Sequence, residues 1–96
     1  KGNVLSDFGK MEEALTAFET AIKLDPKLVA PWNGKGNILR NLGRKEEALT
    51  AYETAIELDP TFGGYWFNKA LLLDEMGRHG EAEKARQKAR ELGFDC

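Results

Sequence analysis

One histidine, one cysteine and two pairs of adjacent glutamates are the groups from which this chain would have to build catalysis. They do not assemble into a nucleophilic or acid–base set. His79 opens a helical stretch where Met11 and Lys45 stand in the corresponding earlier stretches, a packing or surface slot. Cys96 is terminal and has no base near it in sequence, which a nucleophilic thiol requires. Glu12-Glu13 and Glu46-Glu47 recur at a fixed interval, which marks them as helix-start carboxylates facing the positive helix end. The sequence shows no spacing of metal ligands and no glycine loop for phosphate. An enzyme is not expected, and neither is a cofactor. The polar chemistry that remains is that of amides. Asn33, Asn37 and Asn41 share one helical stripe with Ala30, apart from the packing stripe Trp32, Gly36 and Leu39. Asparagine is a poor helix former, and its donors and acceptor suit an extended peptide whose backbone groups are unpaired.

The elements that position this stripe repeat. A shift of 34 residues places Pro26 on Pro60, Gly9 on Gly43 and Trp32 on Trp66. EEALTAFETAI at 12–22 matches EEALTAYETAI at 46–56. A period of this length means stacked supersecondary units, each unable to bury its apolar face alone. Six helices follow from the pattern, near 1–8, 11–24, 29–42, 45–58, 65–76 and 79–92. Gly9, Gly43 and Gly77 are expected to close the first helix of each pair in the left-handed conformation. Asp25-Pro26 and Asp59-Pro60 end the second helices. Thr61-Phe62-Gly63-Gly64 reads as a looser connector than residues 27–30. Small residues at Gly2, Gly36 and Ala70, and at Ala14, Ala48, Ala82, Ala21, Ala55 and Ala89, mark the close helix approaches. Trp32, Leu39, Tyr52, Trp66 and Leu73 fill the space between repeats.

Composition agrees with a folded protein. Of 96 residues, 42% are hydrophobic and 31% charged, with a net charge of −2. That charge argues against a nucleic-acid binder, which carries a basic face; a patch of Lys84, Arg86, Lys88 and Arg90 is the minor reading. No stretch reaches the roughly 18 apolar residues of a membrane helix, and no membrane contact is expected. A single cysteine allows no internal disulfide and fits a reducing, cytoplasmic setting. The chain opens at Lys1 in mid-repeat, which reads as a fragment of a longer protein.

The middle stretch contributes Trp32, Gly36, Leu39, Ala48, Tyr52, Ala55 and Pro60, the first Gly2, Leu5, Ala14, Phe18, Ala21 and Pro26, and the third Trp66, Ala70, Leu73, Ala82 and Ala89. On these positions the chain resembles tandem tetratricopeptide repeats, whose signature runs W-x2-L-G-x2-Y, A-x3-F, then A and P. The resemblance implies an all-α fold, a right-handed α-α superhelix of antiparallel helix pairs. It divides the single array 1–96 into a partial repeat 1–28, a second 29–62 and a third 63–96. Two departures stand out. Lys1, Lys35 and Lys69 replace the usual leucine, so their stems are expected to snorkel at the edge of the helix pair. In the last helix Glu83, Arg86 and Arg90 replace the apolar Leu49, Tyr52 and Ile56, which leaves Ala82, Ala85, Ala89 and Leu92 facing inward. Helix 79–92 is therefore expected to cap the array with a solvated outer face.

The resemblance also implies a function, the holding of a protein or peptide partner in a concave groove lined by the first helix of each repeat. The groove positions fall on Asn3 and Asp7; on Asn33, Asn37, Arg40 and Asn41; and on Phe67, Asn68, Leu71, Asp74 and Glu75. Asparagine at Asn3 and Asn37 is equally read as plain family consensus. A clamp for a terminal carboxylate, found in some members, lacks its lysine, because Asn33 stands there. Two other readings remain open: self-association into a homo-oligomer through the truncated N-terminal repeat, and recruitment of substrates for a larger enzyme.

Overall fold

A computed structural model describes residues 3–93 of the chain, with side chains from Gly9 onward. It is helical throughout: α1 (Asn3–Leu24), α2 (Val29–Asn41), α3 (Lys45–Leu58), α4 (Gly63–Glu75) and α5 (His79–Glu91). Successive helices pack against one another, α2 on α3 and α4 on α5 most extensively.

The turns inside these two pairs are built as the glycines require. Gly43 and Gly77 take φ of 84° and 81°, a region closed to most side chains. The Gly43 N–H donates to the Arg40 carbonyl at 3.1 Å and the Arg44 N–H to that of Leu39 at 2.8 Å, closing the helix end. Gly77 and Arg78 repeat these bonds onto Asp74 and Leu73.

Gly9 does otherwise. The expected break at residues 9–10 is absent, and one helix of 22 residues replaces two, so the described residues form five helices instead of six. Glycine permits a left-handed turn but does not compel one. Continuing the helical ladder through it costs about 1 kcal/mol, and a reversal is favoured only where a returning helix packs. A Cβ at Gly9 would meet nothing within 4 Å, so no close approach requires glycine there.

α4 also begins earlier than expected, at Gly63. Phe62 is extended before it and its ring meets Tyr65, centroids 4.6 Å apart. A Cβ on Gly64 would come within 2.6 Å of the Phe62 ring. The two glycines are thus the first turn of a helix under an aromatic ring, and the connector is no looser than its counterpart before α2.

Tyr52, Leu39, Leu72 and Leu73 are the largest fully buried side chains. Ala48, Ala55, Ala70, Ala82 and Ala89 are wholly excluded from solvent at the close approaches. A Cβ on Gly36 would lie 2.6 Å from the Tyr52 ring. The two tryptophans are only half-buried and each donates its indole N–H to a proline carbonyl, Trp32 to Pro26 at 2.9 Å and Trp66 to Pro60 at 3.0 Å. In α1, Ala14, Phe18, Ala21 and Ile22 are half-buried, whereas their α3 counterparts Ala48, Tyr52, Ala55 and Ile56 are buried. α3 packs on both α2 and α4, while among the described helices only α2 covers α1 extensively. Gly2 lies outside the described residues.

Candidate protein-binding groove

The amide stripe of α2 faces the polar positions of α4, and the two helices are tied together across that face. Asn68 donates its Nδ2 to Asn33 Oδ1 at 3.0 Å. Arg40 Nε lies 3.6 Å from Glu75 Oε2. Each pair joins residues 35 positions apart, so only the stacking of α4 beside α2 brings them together. Asn37 is used from a different direction, its Oδ1 accepting the Tyr52 hydroxyl of α3. Burial holds the Tyr52 phenol above its ordinary pKa, so it remains a donor through neutral pH and keeps Asn37 fixed.

The third part of the stripe differs from expectation. Asp74 is engaged: Arg86 of α5 donates from Nη1 to its Oδ2 at 2.8 Å, and His79 Nδ1 lies 2.9 Å from its Oδ1. Arg86 also donates to Glu83 at 3.3 Å. Arg86 is therefore not part of a free solvated face. It stands in the slot of Tyr52 and, like Tyr52, reaches the preceding helix. The equivalence with Tyr52 was visible in sequence; its inward reach was not. Arg90 lies 3.6 Å from Glu83 and Lys88 4.0 Å from Glu91. Phe67 and Leu71 are half-buried on the same helix, and Asn41 is exposed at the end of α2. The side chains of Asn3 and Asp7 lie outside the described residues.

The Arg86 guanidinium, and after it His79, hold the Asp74 carboxyl below the usual carboxylate range. A depressed value in the folded state means stability that is present above the ordinary carboxylate range and lost as pH falls through the lowered value. Arg86→Met is expected to return the Asp74 titration upward toward that ordinary range. Carboxyl chemical shifts followed against pH would read it, and an unchanged midpoint would remove Arg86 as the cause.

Models of the tetratricopeptide repeat match residues 29–62 and 51–84, and a further repeat model of the same kind matches residues 2–43. The chain belongs to the tetratricopeptide-repeat family. Comparison with curated proteins gave no match. Among solved structures, a MamA from MSR-1 superposes with a TM-score of 0.83 at 30% identity, over 88% of this chain and 48% of that one. Another MamA structure reaches 0.86 at 25% identity, over 96% and 54%. The Yersinia enterocolitica type III secretion translocator chaperone SycD gives 0.84 at 28%, over 88% and 64%. The chain thus spans about half the length of the MamA proteins it resembles. As a tetratricopeptide-repeat array it has the architecture of a protein-interaction scaffold. No helix among the described residues is long and apolar enough to cross a membrane.

Proposed function

We propose that this array is a non-catalytic scaffold that holds a peptide segment of a protein partner along the face shared by α2 and α4. The observation that carries the reading is the Asn33–Asn68 pair at 3.0 Å. Each amide uses one of its groups on the other, which fixes both planes, and keeps further donors and acceptors for an incoming backbone. The pairing of Arg40 with Glu75 favours a ligand recognised by amides and by the apolar surfaces of Phe67 and Leu71 over one recognised by charge. Groove positions Asn3, Asp7, Asn37, Asn41 and Asp74 complete the proposed surface. SycD, a chaperone of translocator proteins by its description, lends the reading general support. The setting we infer is cytoplasmic, in keeping with the lone thiol of Cys96.

Asn33→Ala combined with Asn68→Ala is expected to weaken the binding of a partner isolated by pull-down by about 5- to 150-fold, each lost hydrogen bond being worth roughly 0.5–1.5 kcal/mol. Titration calorimetry with wild-type protein as reference would measure it, and equal affinities would remove this face from the account.

A second reading rests on a separate observation. The Ala14, Phe18, Ala21 and Ile22 face of α1 is less covered than its α3 counterpart, and a second copy of the chain packed there would extend the array. Light scattering that finds only monomer at high concentration would dismiss it.

A further inference from the structure

The large apolar side chains that the array leaves to solvent are gathered in two places. Among the described residues they are Leu24, Leu28, Leu58 and Phe62. They form two pairs, Leu24 with Leu28 and Leu58 with Phe62, and the second pair stands 34 positions after the first. Each pair brackets an Asp-Pro stop. Leu24 ends α1 and Leu28 precedes α2; Leu58 ends α3 and Phe62 precedes α4. Short turns reverse the chain between successive helices, so α1 and α3 run the same way and both loops lie along one edge of the array. This edge shares no residue with the groove. At about 100° per residue, Leu24 also points roughly 100° away from the α1 stripe of Ala14, Phe18, Ala21 and Ile22.

The two loops match in apolar character and differ in charge. Residues 23–30 carry Lys23, Asp25 and Lys27, a net +1, whereas residues 57–64 carry Glu57 and Asp59, a net −2. These charges are not spent on one another. The side chains of Lys23, Lys27 and Glu57 are exposed and enter no ion pair or hydrogen bond among the described residues. Asp25 and Asp59 each use one carboxylate oxygen within their own loop and keep the other. Asp25 Oδ1 accepts the Lys27 N–H at 3.2 Å, and Asp59 Oδ1 accepts the Thr61 hydroxyl at 2.9 Å. Glu57 stands in the last turn of α3, where the helix end is itself negative, and no basic residue shares that turn. In α1 the same place is held by Lys23.

An edge that carries an apolar pair with positive charge at one repeat, and an apolar pair with negative charge at the next, complements itself when turned end for end. We infer that this edge pairs two copies of the chain about a two-fold axis passing between the loops. Leu24 and Leu28 of each copy then meet Leu58 and Phe62 of the other, Lys23 and Lys27 meet Glu57 and Asp59, and every contact occurs twice. The opposite orientation would set lysines on lysines and carboxylates on carboxylates, so charge fixes the register of the pair. Only loop residues and helix ends are covered. The contact is therefore smaller than a standard interface, and the pairing is weak and reversible.

Sedimentation equilibrium of the whole chain over rising concentration reads the association. Wild-type protein is expected to dimerise, and less so as salt is raised. Lys23→Glu or Glu57→Lys alone is expected to weaken the dimer by about tenfold, because each reversal acts at both symmetric contacts. Glu57→Lys brings the net charge of the chain from −2 to zero, so a loss of pairing there is not general repulsion. An equimolar mixture of the two variants is expected to recover the dimer, as is one chain that carries both substitutions. In each case a glutamate at 23 faces a lysine at 57. Leu24→Ser, at a side chain 82% exposed, is expected to weaken the dimer while circular dichroism shows the helices unchanged. Monomer at every concentration would overturn the proposal and leave the edge to a different partner. So would a dimer indifferent to both reversals, which would move the contact to the α1 stripe. Failure of the mixed variants to recover would overturn it as well, because the lysines and carboxylates would then not be facing one another.

Discussion

Replacing Tyr52 by alanine is expected to lower the free energy of unfolding by about 3–5 kcal/mol, read as a fall in the midpoint of denaturant unfolding. Three contributions combine at this residue. Its ring is fully buried, and a void of that size closes only in part. It lies against Gly36, whose absent Cβ leaves the space the ring occupies, so helices α2 and α3 lose the contact that sets their spacing. Its hydroxyl is the donor to Asn37, and the orphaned amide oxygen adds a desolvation cost. Tyr52→Phe separates the last contribution from the first two, with an expected loss of only about 0.5–1.5 kcal/mol. Phe18, the residue 34 positions earlier, shows that the array accepts the ring without the hydroxyl. Equal losses for the two variants would mean that the hydrogen bond, and not the packing, dominates.

Leu39→Ala is expected to cost about 2–5 kcal/mol. Leu39 is almost completely buried and belongs to the core cluster that joins Leu15 of α1, Leu49 of α3 and Leu73 of α4. A stacked array has stability summed from each unit and its interfaces, so a void at this shared position weakens more than one interface. Leu73→Ala, the substitution one repeat later, is the comparison. Loss of a single sharp transition in Leu39→Ala, with retention of one in Leu73→Ala, would show that the middle of the array couples its ends. Matching unfolding curves would refute that coupling.

Much of this architecture was legible in the residues because the chain states it more than once. Gly43 and Gly77 turn the chain where the period put them, and the alanines at 48, 55, 82 and 89 sit at the close approaches. Reading failed where a position has only a permissive meaning or no repeated counterpart. Gly9 shares its alignment with Gly43, yet glycine allows both a helix and a turn, and the surrounding packing decides. Gly34 receives the Phe18 ring, which a Cβ would meet at 2.5 Å, but the residue 34 positions on is Asn68, so the pattern concealed it. In the candidate groove, the stripe of asparagines was legible, whereas the pairing of Asn33 with Asn68 and of Arg40 with Glu75 depends on the spacing of two helices. Arg86 was placed on the outer face because of its charge, and the carboxylate of Asp74 draws it inward.

The alanine stripe of α5 also bears on where the array opens. α3 buries Leu49, Tyr52 and Ile56 along with its alanines, whereas Ala82, Ala85 and Ala89 are all that α5 buries. Amide hydrogens in α3 should therefore exchange with solvent only through opening close to the global event, and those of α5 through a cheaper local one. α5 is also fastened by polar contacts of Asp74, an ion pair with Arg86 and a hydrogen bond with His79. Acid weakens such bonds and leaves apolar contacts in place, so protonation of one carboxylate on α4 would make opening of the last helix easier while leaving the opening of α3 as costly as before.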